Sequence, residues 1–176
     1  MSFITDSGVR VAAALIVAAA AVAWDLRSRR IPNALTFGAA AAALVFAATT
    51  AGLGGLETSA GGWVTGAALF FPFFALRGMG AGDVKLLAAL GAWLGPWQTI
   101  WVAVFAAMAG GVLAVIVSLM RGYLKTALSN VWLIFTHWRV AGLGPVPGLT
   151  LTDTRAPRLA YAVPVAVGLV VTLWRR

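Results

Sequence analysis

The stretch LLAALGAWLGPWQTIWVAVFAAMAGGVLAVIVSLM, residues 86–120, runs for 35 residues without a charge. A transmembrane helix needs about 20 predominantly apolar residues, so this run is too long for one ordinary span and slightly short for two. The Gly95-Pro96 pair breaks it, because proline lacks an N–H and collides with the preceding turn of a helix. The sequence therefore predicts a short helix over about 84–95 and a full one over 97–120. Twelve residues at a rise of ~1.5 Å reach roughly 18 Å, against a hydrocarbon core about 30 Å thick. If that short helix reaches the far interface, its start lies below the near one. Its start is Asp83.

Working outward, the rest of the chain has the composition of a protein dissolved in lipid. It is 61% hydrophobic and 10% charged, with mean hydropathy +0.94, where a soluble domain carries about 25% charged residues. Further uncharged runs are VAAALIVAAAAVAW (11–24), a helix within 31–56 that starts near Asn33 and ends at the Gly-rich AGLGG, GGWVTGAALFFPFFAL (61–76), and 159–174. The expectation is an all-α, polytopic integral membrane protein: one membrane-embedded domain over 1–176, with six transmembrane helices and five as the alternative count.

Basic residues orient such a bundle, because short cytoplasmic loops retain Lys and Arg. With six spans, ten of the 13 Lys and Arg residues fall on one side, and only Arg10, Arg175 and Arg176 on the other. The first side is then cytoplasmic and both termini face outward, in what is expected to be a bacterial inner membrane. A signal-peptidase site at AVA (21–23) is the rival reading, but cleavage there would export RSRR against the charge rule. Between Arg121 and Pro157, Leu124, Leu128, Val131, Trp132, Phe135 and Trp138 recur at helical spacing. They predict a cytoplasmic amphipathic helix lying in the interface, carrying His137 as an ordinary interfacial histidine and followed by a Gly/Pro loop.

Several chemistries are poorly supplied. The chain has no cysteine, which excludes disulfides, thiolate metal sites and a cysteine nucleophile, and one histidine with five acids is a poor supply for a protein-only metal site. No cofactor or metal is expected. The net charge of +8 sits in short segments beside apolar runs, which suits membrane lipid rather than nucleic acid.

The acids carry the functional signal. Asp6, Glu57 and Asp153 read as solvated residues in a tail or loops. Asp25 closes the first span and Asp83 opens the fourth, 58 residues later, and the predicted topology puts both at one cytoplasmic level. An ionisable group at membrane depth is by default a functional candidate. The plain alternatives are that Asp25 pairs with Arg29 and that Asp83 is a helix N-cap. A proton-relay transporter and a non-enzymatic membrane subunit are the competing functions for such a pair.

The segments WDLRSRRIPN (24–33) and GMGAGDVKLLAALG (78–91) resemble the two aspartate motifs of the prepilin peptidases, membrane aspartyl proteases with a Gly-x-Gly-Asp signature. The first matches through Asp25 followed by Ile31, Pro32 and Asn33, the second through Gly80, Gly82, Asp83, Lys85 and Leu86. A weaker likeness lies in LAYAVPVAVG (159–168), similar to the Tyr- and Pro-bearing last helix of the family. The chain lacks the cysteine-bearing cytoplasmic domain of the larger, N-methylating members, so it looks like the short peptidase-only form of Tad/Flp-type pilus systems. Archaeal preflagellin peptidases are related. The resemblance implies a partner, the Flp-type pilin or pseudopilin precursor, from which a short basic leader is removed, with Asp25 and Asp83 as the catalytic pair.

Aspartyl proteolysis needs two carboxylates close enough to share a proton, one activating water and the other donating to the scissile carbonyl. Asp83 at a helix N-terminus and Asp25 at a helix C-terminus lead to the expectation that Asp83 holds the charge and Asp25 the proton. Gly78, Gly80 and Gly82 allow unusual dihedrals and close approach, suggesting a strand-like segment against which substrate backbone could lie. Pro32 and Asn33 suit the first turn of the second helix. Lys85 is expected either to steady Asp83 or to meet lipid phosphate.

Overall fold

The computed structural model describes residues 2–142, 144–146, 148–149 and 160–175, with side chains from Asp6 onward. Among these there is no strand. Six helices follow in order: α1 (Ser2–Ser28), α2 (Asn33–Ala75), α3 (Ala81–Leu94), α4 (Pro96–Met120), α5 (Leu124–Ala141) and α6 (Ala162–Trp174). The break that decides the middle of the chain falls where the Gly-Pro pair predicts. Gly95, with φ +81, ends α3, and Pro96 takes the first position of α4, where its missing N–H costs nothing. α1, α2 and α4 are long and apolar enough to cross a membrane, over Asp6–Ser28, Asn33–Ala75 and Pro96–Met120, and α6 is a shorter apolar helix. These are the elements of a membrane protein.

α2 departs from the expected pattern. The predicted loop around Glu57 is helical, so α2 continues from Asn33 to Ala75 with a single non-helical residue, Gly52 (φ 59, ψ −145). The chain folds back sharply there. A methyl on Gly55 would lie 2.7 Å from Ala51 Cβ and run into the Ala47 carbonyl, so only glycine lets the second arm leave so close to the first. Glu57 consequently sits on an exposed helical face instead of in a loop.

α3 is the centre of the bundle, touching α1, α2, α4 and α6. Every residue from Leu86 to Leu94 is buried, which explains its unbroken apolar sequence: a helix buried all round has no polar face. The second arm of α2 lies antiparallel to it. Ser59 Oγ donates to the Ala92 carbonyl at 2.7 Å, and Gly62 and Gly91 meet so closely that a methyl on either would run into the other's carbonyl. Gly66 meets the Leu87 backbone in the same way. Small residues let helix backbones approach in lipid, where van der Waals packing replaces the hydrophobic effect as the driving force. α4 and α6 pair antiparallel by the same device: Gly168 sits against Val102 and Ala106, and Gly110 against the Tyr161 ring. α1 covers α3 and α6 with Ala14, Val17, Ala18 and Ala21, all buried.

α5 forms where the helical spacing predicts but buries none of its residues. Leu128, Val131, Trp132 and Phe135 are all exposed, and Arg139 lies 6.0 Å over the Phe135 ring. His137 is on this helix. Asp153 and the start of the last predicted span at 159 lie outside the described residues, and α6 begins at Ala162.

The glycine contacts separate two kinds of position. Gly62→Val must push α2 away from α3 and is expected to cost about 1–3 kcal/mol, as overpacking of a close contact does. At Gly54 an added methyl would meet nothing within 4 Å, so alanine there should bring no loss, or a gain of up to about 1 kcal/mol from helix propensity. Thermal unfolding of the two variants in detergent checks this; equal midpoints would contradict the close α2–α3 approach.

Candidate active site

Asp25 does not end α1. The helix continues for almost a turn beyond it, and the Asp25 carbonyl accepts the Arg29 N–H at 3.0 Å. The side chain is buried, at 7% exposure, and Oδ2 accepts the backbone N–H of Ala162 at 3.2 Å. Ala162 is the first residue of α6. A carboxylate near the end of one helix is thus held at the start of another, where free N–H groups point outward.

Asp83 is the third residue of α3. Its N-cap is Gly80, in extended conformation (φ −77, ψ 147), and no side chain caps the helix. The Asp83 N–H bonds to the Gly80 carbonyl at 3.2 Å. The plain N-cap explanation of Asp83 does not hold as stated: the cap position belongs to Gly80, and the Asp83 carboxylate, inside the first turn, reaches back to accept a hydrogen bond from the Gly80 backbone N–H.

The three glycines act differently from the expectation. None of Gly78, Gly80 and Gly82 has positive φ; the left-handed residue in this turn is Arg77, at φ 57. Gly78 N–H bonds to Phe73 O and Arg77 N–H to Phe74 O, each at 2.9 Å, a Schellman termination of α2. Residues 76–80 are therefore a turn ending in one extended residue, and Gly82 is already helical; there is no strand-like segment. What two of the glycines supply is room. A methyl on Gly80 would stand 3.2 Å from Asp83 Oδ2, and one on Gly82 3.4 Å from Ile31 Cβ. Gly78 is less constrained, a methyl there meeting only Phe73 O at 3.5 Å.

Through the Gly82–Ile31 contact the two sequence motifs touch. Pro32 is the N-cap of α2 (φ −61, ψ 137), one position earlier than the first-turn placement expected, and its carbonyl accepts the N–H groups of Leu35 and Thr36. Asn33 begins α2 and accepts a 2.9 Å hydrogen bond at Oδ1 from Lys85 Nζ. The Lys85 ammonium also lies 5.3 Å from the Phe37 ring centroid. It is thus turned toward α2 and away from the role of steadying Asp83, as residues two apart on a helix do not share a face. Lys85 and Asn33 tie the first turn of α3 to the first turn of α2.

These ties bring Asp25 and Asp83 together closely enough for Asp25 to act electrostatically on Asp83. Asp83 in turn acts on Tyr161, the residue just before the Ala162 amide that holds Asp25. The Tyr161 ring stands edge-on to Phe70, with centroids 6.0 Å apart. In the sequence Tyr161 is legible only as part of the last-helix likeness, since nothing in its spacing links it to residues 25 or 83. The N-terminus of α6 bears on the argument behind the expected division of charge. Each carboxylate lies at a helix N-terminus, so the helix-end argument no longer distinguishes the two. Among the described residues no three His, Cys, Asp or Glu side chains converge as metal ligands would.

Two concavities lie apart from the pair. One, of about 190 Å³, is lined by Trp97, Trp101, Phe105 and Arg175 at the opposite end of the bundle. The other, of about 250 Å³, lies on the Lys85 face of α3, against Phe37 and Trp63.

No curated protein and no solved structure matches the chain significantly. The type IV leader peptidase family matches residues 12–116, a segment that holds Asp25, the Ile31-Pro32-Asn33 turn, the three glycines and Asp83. With more than half of its length inside that match, and with the two motifs in contact in the fold, the chain belongs to the type IV leader peptidase family and is a membrane peptidase.

Proposed function

We propose that this protein is an aspartyl endopeptidase of the bacterial inner membrane that removes the short basic leader of Flp-type prepilins and pseudopilins at the cytoplasmic face, with Asp25 and Asp83 as the catalytic pair. The observation that carries the proposal is the meeting of two acids, 58 residues apart in sequence, at the start of the two short helices α3 and α6. One is buried and held by a backbone amide, and the two interact electrostatically. A carboxylate pair is the minimum equipment for this chemistry.

The topology proposed with it has six spans. α2 serves as two, because 43 residues at ~1.5 Å would reach roughly twice the ~30 Å core, and it turns back at Gly52. α3 and α6, with 14 and 13 residues, are each about 20 Å long. Both therefore start below the near interface, and both start at the aspartates. Ten of the 13 basic residues then lie on the cytoplasmic side, with both termini outward, and α5 lies along the cytoplasmic interface with its apolar residues in lipid.

In the reaction, the ionised carboxylate takes a proton from water as the water oxygen attacks the scissile carbonyl carbon. The protonated carboxylate gives its proton to the carbonyl oxygen, forming a tetrahedral diol. Collapse of the diol breaks the C–N bond: the carboxyl that took the water proton gives it to the leaving amine, a diol hydroxyl gives its proton to the other carboxylate, and the pair again holds one proton. A prepilin suits this depth: its basic leader stays in the cytoplasm, its hydrophobic helix enters the membrane, and the junction lies at the level of the pair. Gly80 leaves Asp83 Oδ2 uncrowded, and the Lys85–Asn33 bond fixes the two first turns that carry the motifs.

Processing of a co-expressed prepilin, followed by the mobility shift of the pilin band, tests the reading. Asp25→Asn and Asp83→Asn are each expected to lower cleavage by about 10²- to 10⁴-fold, the range of general acid–base catalysis, with membrane abundance unchanged. Near wild-type processing by either variant would rule out the paired-carboxylate mechanism. Gly80→Ala brings a methyl to 3.2 Å from Asp83 Oδ2 and should slow cleavage by about 10- to 100-fold, as displacement of a catalytic group by under an ångström does. Because the pair works with one proton between its members, the rate should fall toward both low and high pH; a profile flat across the range would contradict it.

A further inference from the structure

The peptide at residues 161–162 belongs to neither aspartate motif, yet it faces both. Its amide, Ala162 N–H, is committed to Asp25 Oδ2 at 3.2 Å. Its side chain, Tyr161, lies within electrostatic reach of Asp83. The ring is fixed on two sides. Phe70 of α2 meets it edge-on at 6.0 Å, and Gly110 of α4 lies against it, so close that a methyl there would be 3.1 Å from both Cε2 and Oη. Three helices thus cooperate to hold one phenol. The hydroxyl at the end of this rigid arm makes no hydrogen bond among the described residues. Tyrosine hydroxyls that are partly buried normally have a partner, and a fixed donor beside a reactive pair is suited to a peptide group that arrives with the substrate.

We propose that Tyr161 is a substrate-contacting residue: its hydroxyl donates a hydrogen bond to the backbone carbonyl of a peptide bond flanking the scissile one, holding the extended chain across the Asp25/Asp83 pair. The assignment rests on the peptidase reading above. It also gives α6 two tasks, one for each half of the 161–162 peptide: the amide positions a catalytic acid and the phenol positions the peptide that acid attacks. Gly110 is then a specificity feature at one remove, since its missing side chain is the space the phenol occupies. A hydrogen bond to a flanking carbonyl is made equally in the ground and transition states, so its loss acts on KM and leaves kcat nearly unchanged.

The experiment uses the full-length protein in detergent or liposomes with a purified prepilin, comparing the unmodified chain with Tyr161→Phe, which keeps the ring and its contacts with Phe70 and Gly110. The expected result is a loss of about 10-fold in kcat/KM, the size of one neutral hydrogen bond, carried by KM, with the thermal midpoint unchanged. Gly110→Ala, which keeps the hydroxyl but crowds the ring, should move KM in the same direction. Tyr161→Phe with wild-type kinetics overturns the inference. So does a loss confined to kcat, which would place the hydroxyl in the chemical step, or a loss that tracks a fall in thermal midpoint, which would make Tyr161 a packing residue. If the unmodified chain fails to cleave prepilin, the proposed function fails and this inference with it. Cleavage by the unmodified chain, abolished by Asp83→Asn but unaffected by Tyr161→Phe, sinks the inference alone.

Discussion

Everything at the site depends on the close approach of α2 and α3 through Gly62, Gly66 and Gly91. In lipid there is no aqueous phase to squeeze helices together, so adhesion comes from backbone surfaces meeting over large, well-fitted areas. Glycines at these positions let the second arm of α2 lie directly on α3, with Ser59 bonded to the Ala92 carbonyl. α1, α4 and α6 then enclose the remaining faces of α3. A 14-residue helix held this way cannot slide along its axis without breaking those contacts. The depth of its first turn, and so of Asp83, is set by packing along the whole helix.

The same short-helix device appears twice. α6 pairs with α4 through Gly168 and Gly110, and its first amide meets Asp25. Two helices too short to fill a bilayer begin at a common level and aim their N-terminal N–H groups into one region. Water-accessible irregular backbone is tolerated at depth only where protein surrounds it or a cavity is wetted. A hydrolase needs such a place, because its second substrate is water. The turn at 76–80 and the start of α6 are the irregular backbone nearest the two acids.

How much of this is legible in the sequence depends on the range of the interaction. Gly95-Pro96 and the length of the uncharged run reveal the short α3, because helix termination is a local matter of φ and missing donors. The importance of Asp25 and Asp83 is likewise visible, since an acid in an apolar chain stands out whatever the fold. Other positions mislead for a common reason. Gly80 and Gly82 look like conformational hinges from neighbouring residues alone, yet their dihedrals are ordinary and what they avoid is a collision, with the Asp83 carboxylate and with Ile31. Lys85 looks like a partner for the acid two residues away, but its partner is Asn33, 52 residues back. Glu57 looks like a loop residue because glycines surround it, while a single left-handed Gly52 suffices for the reversal.

The sequence by itself determined the apolar character, the helical class, the break at Gly95-Pro96 and the two acids that stand apart from the rest, because composition, periodicity and local chain geometry are written residue by residue. The tertiary structure alone decided what surrounds those acids. It put the α6 amide on Asp25, which removed the asymmetry that helix ends would have imposed on the pair, and it set the Tyr161 phenol beside them on Gly110 and Phe70. Residue 162 lies 137 positions from residue 25, and no pattern along the chain encodes which helix start will meet which helix end. That choice is made by the fit of glycine against backbone across the bundle, a property of surfaces that exist only after the helices have packed.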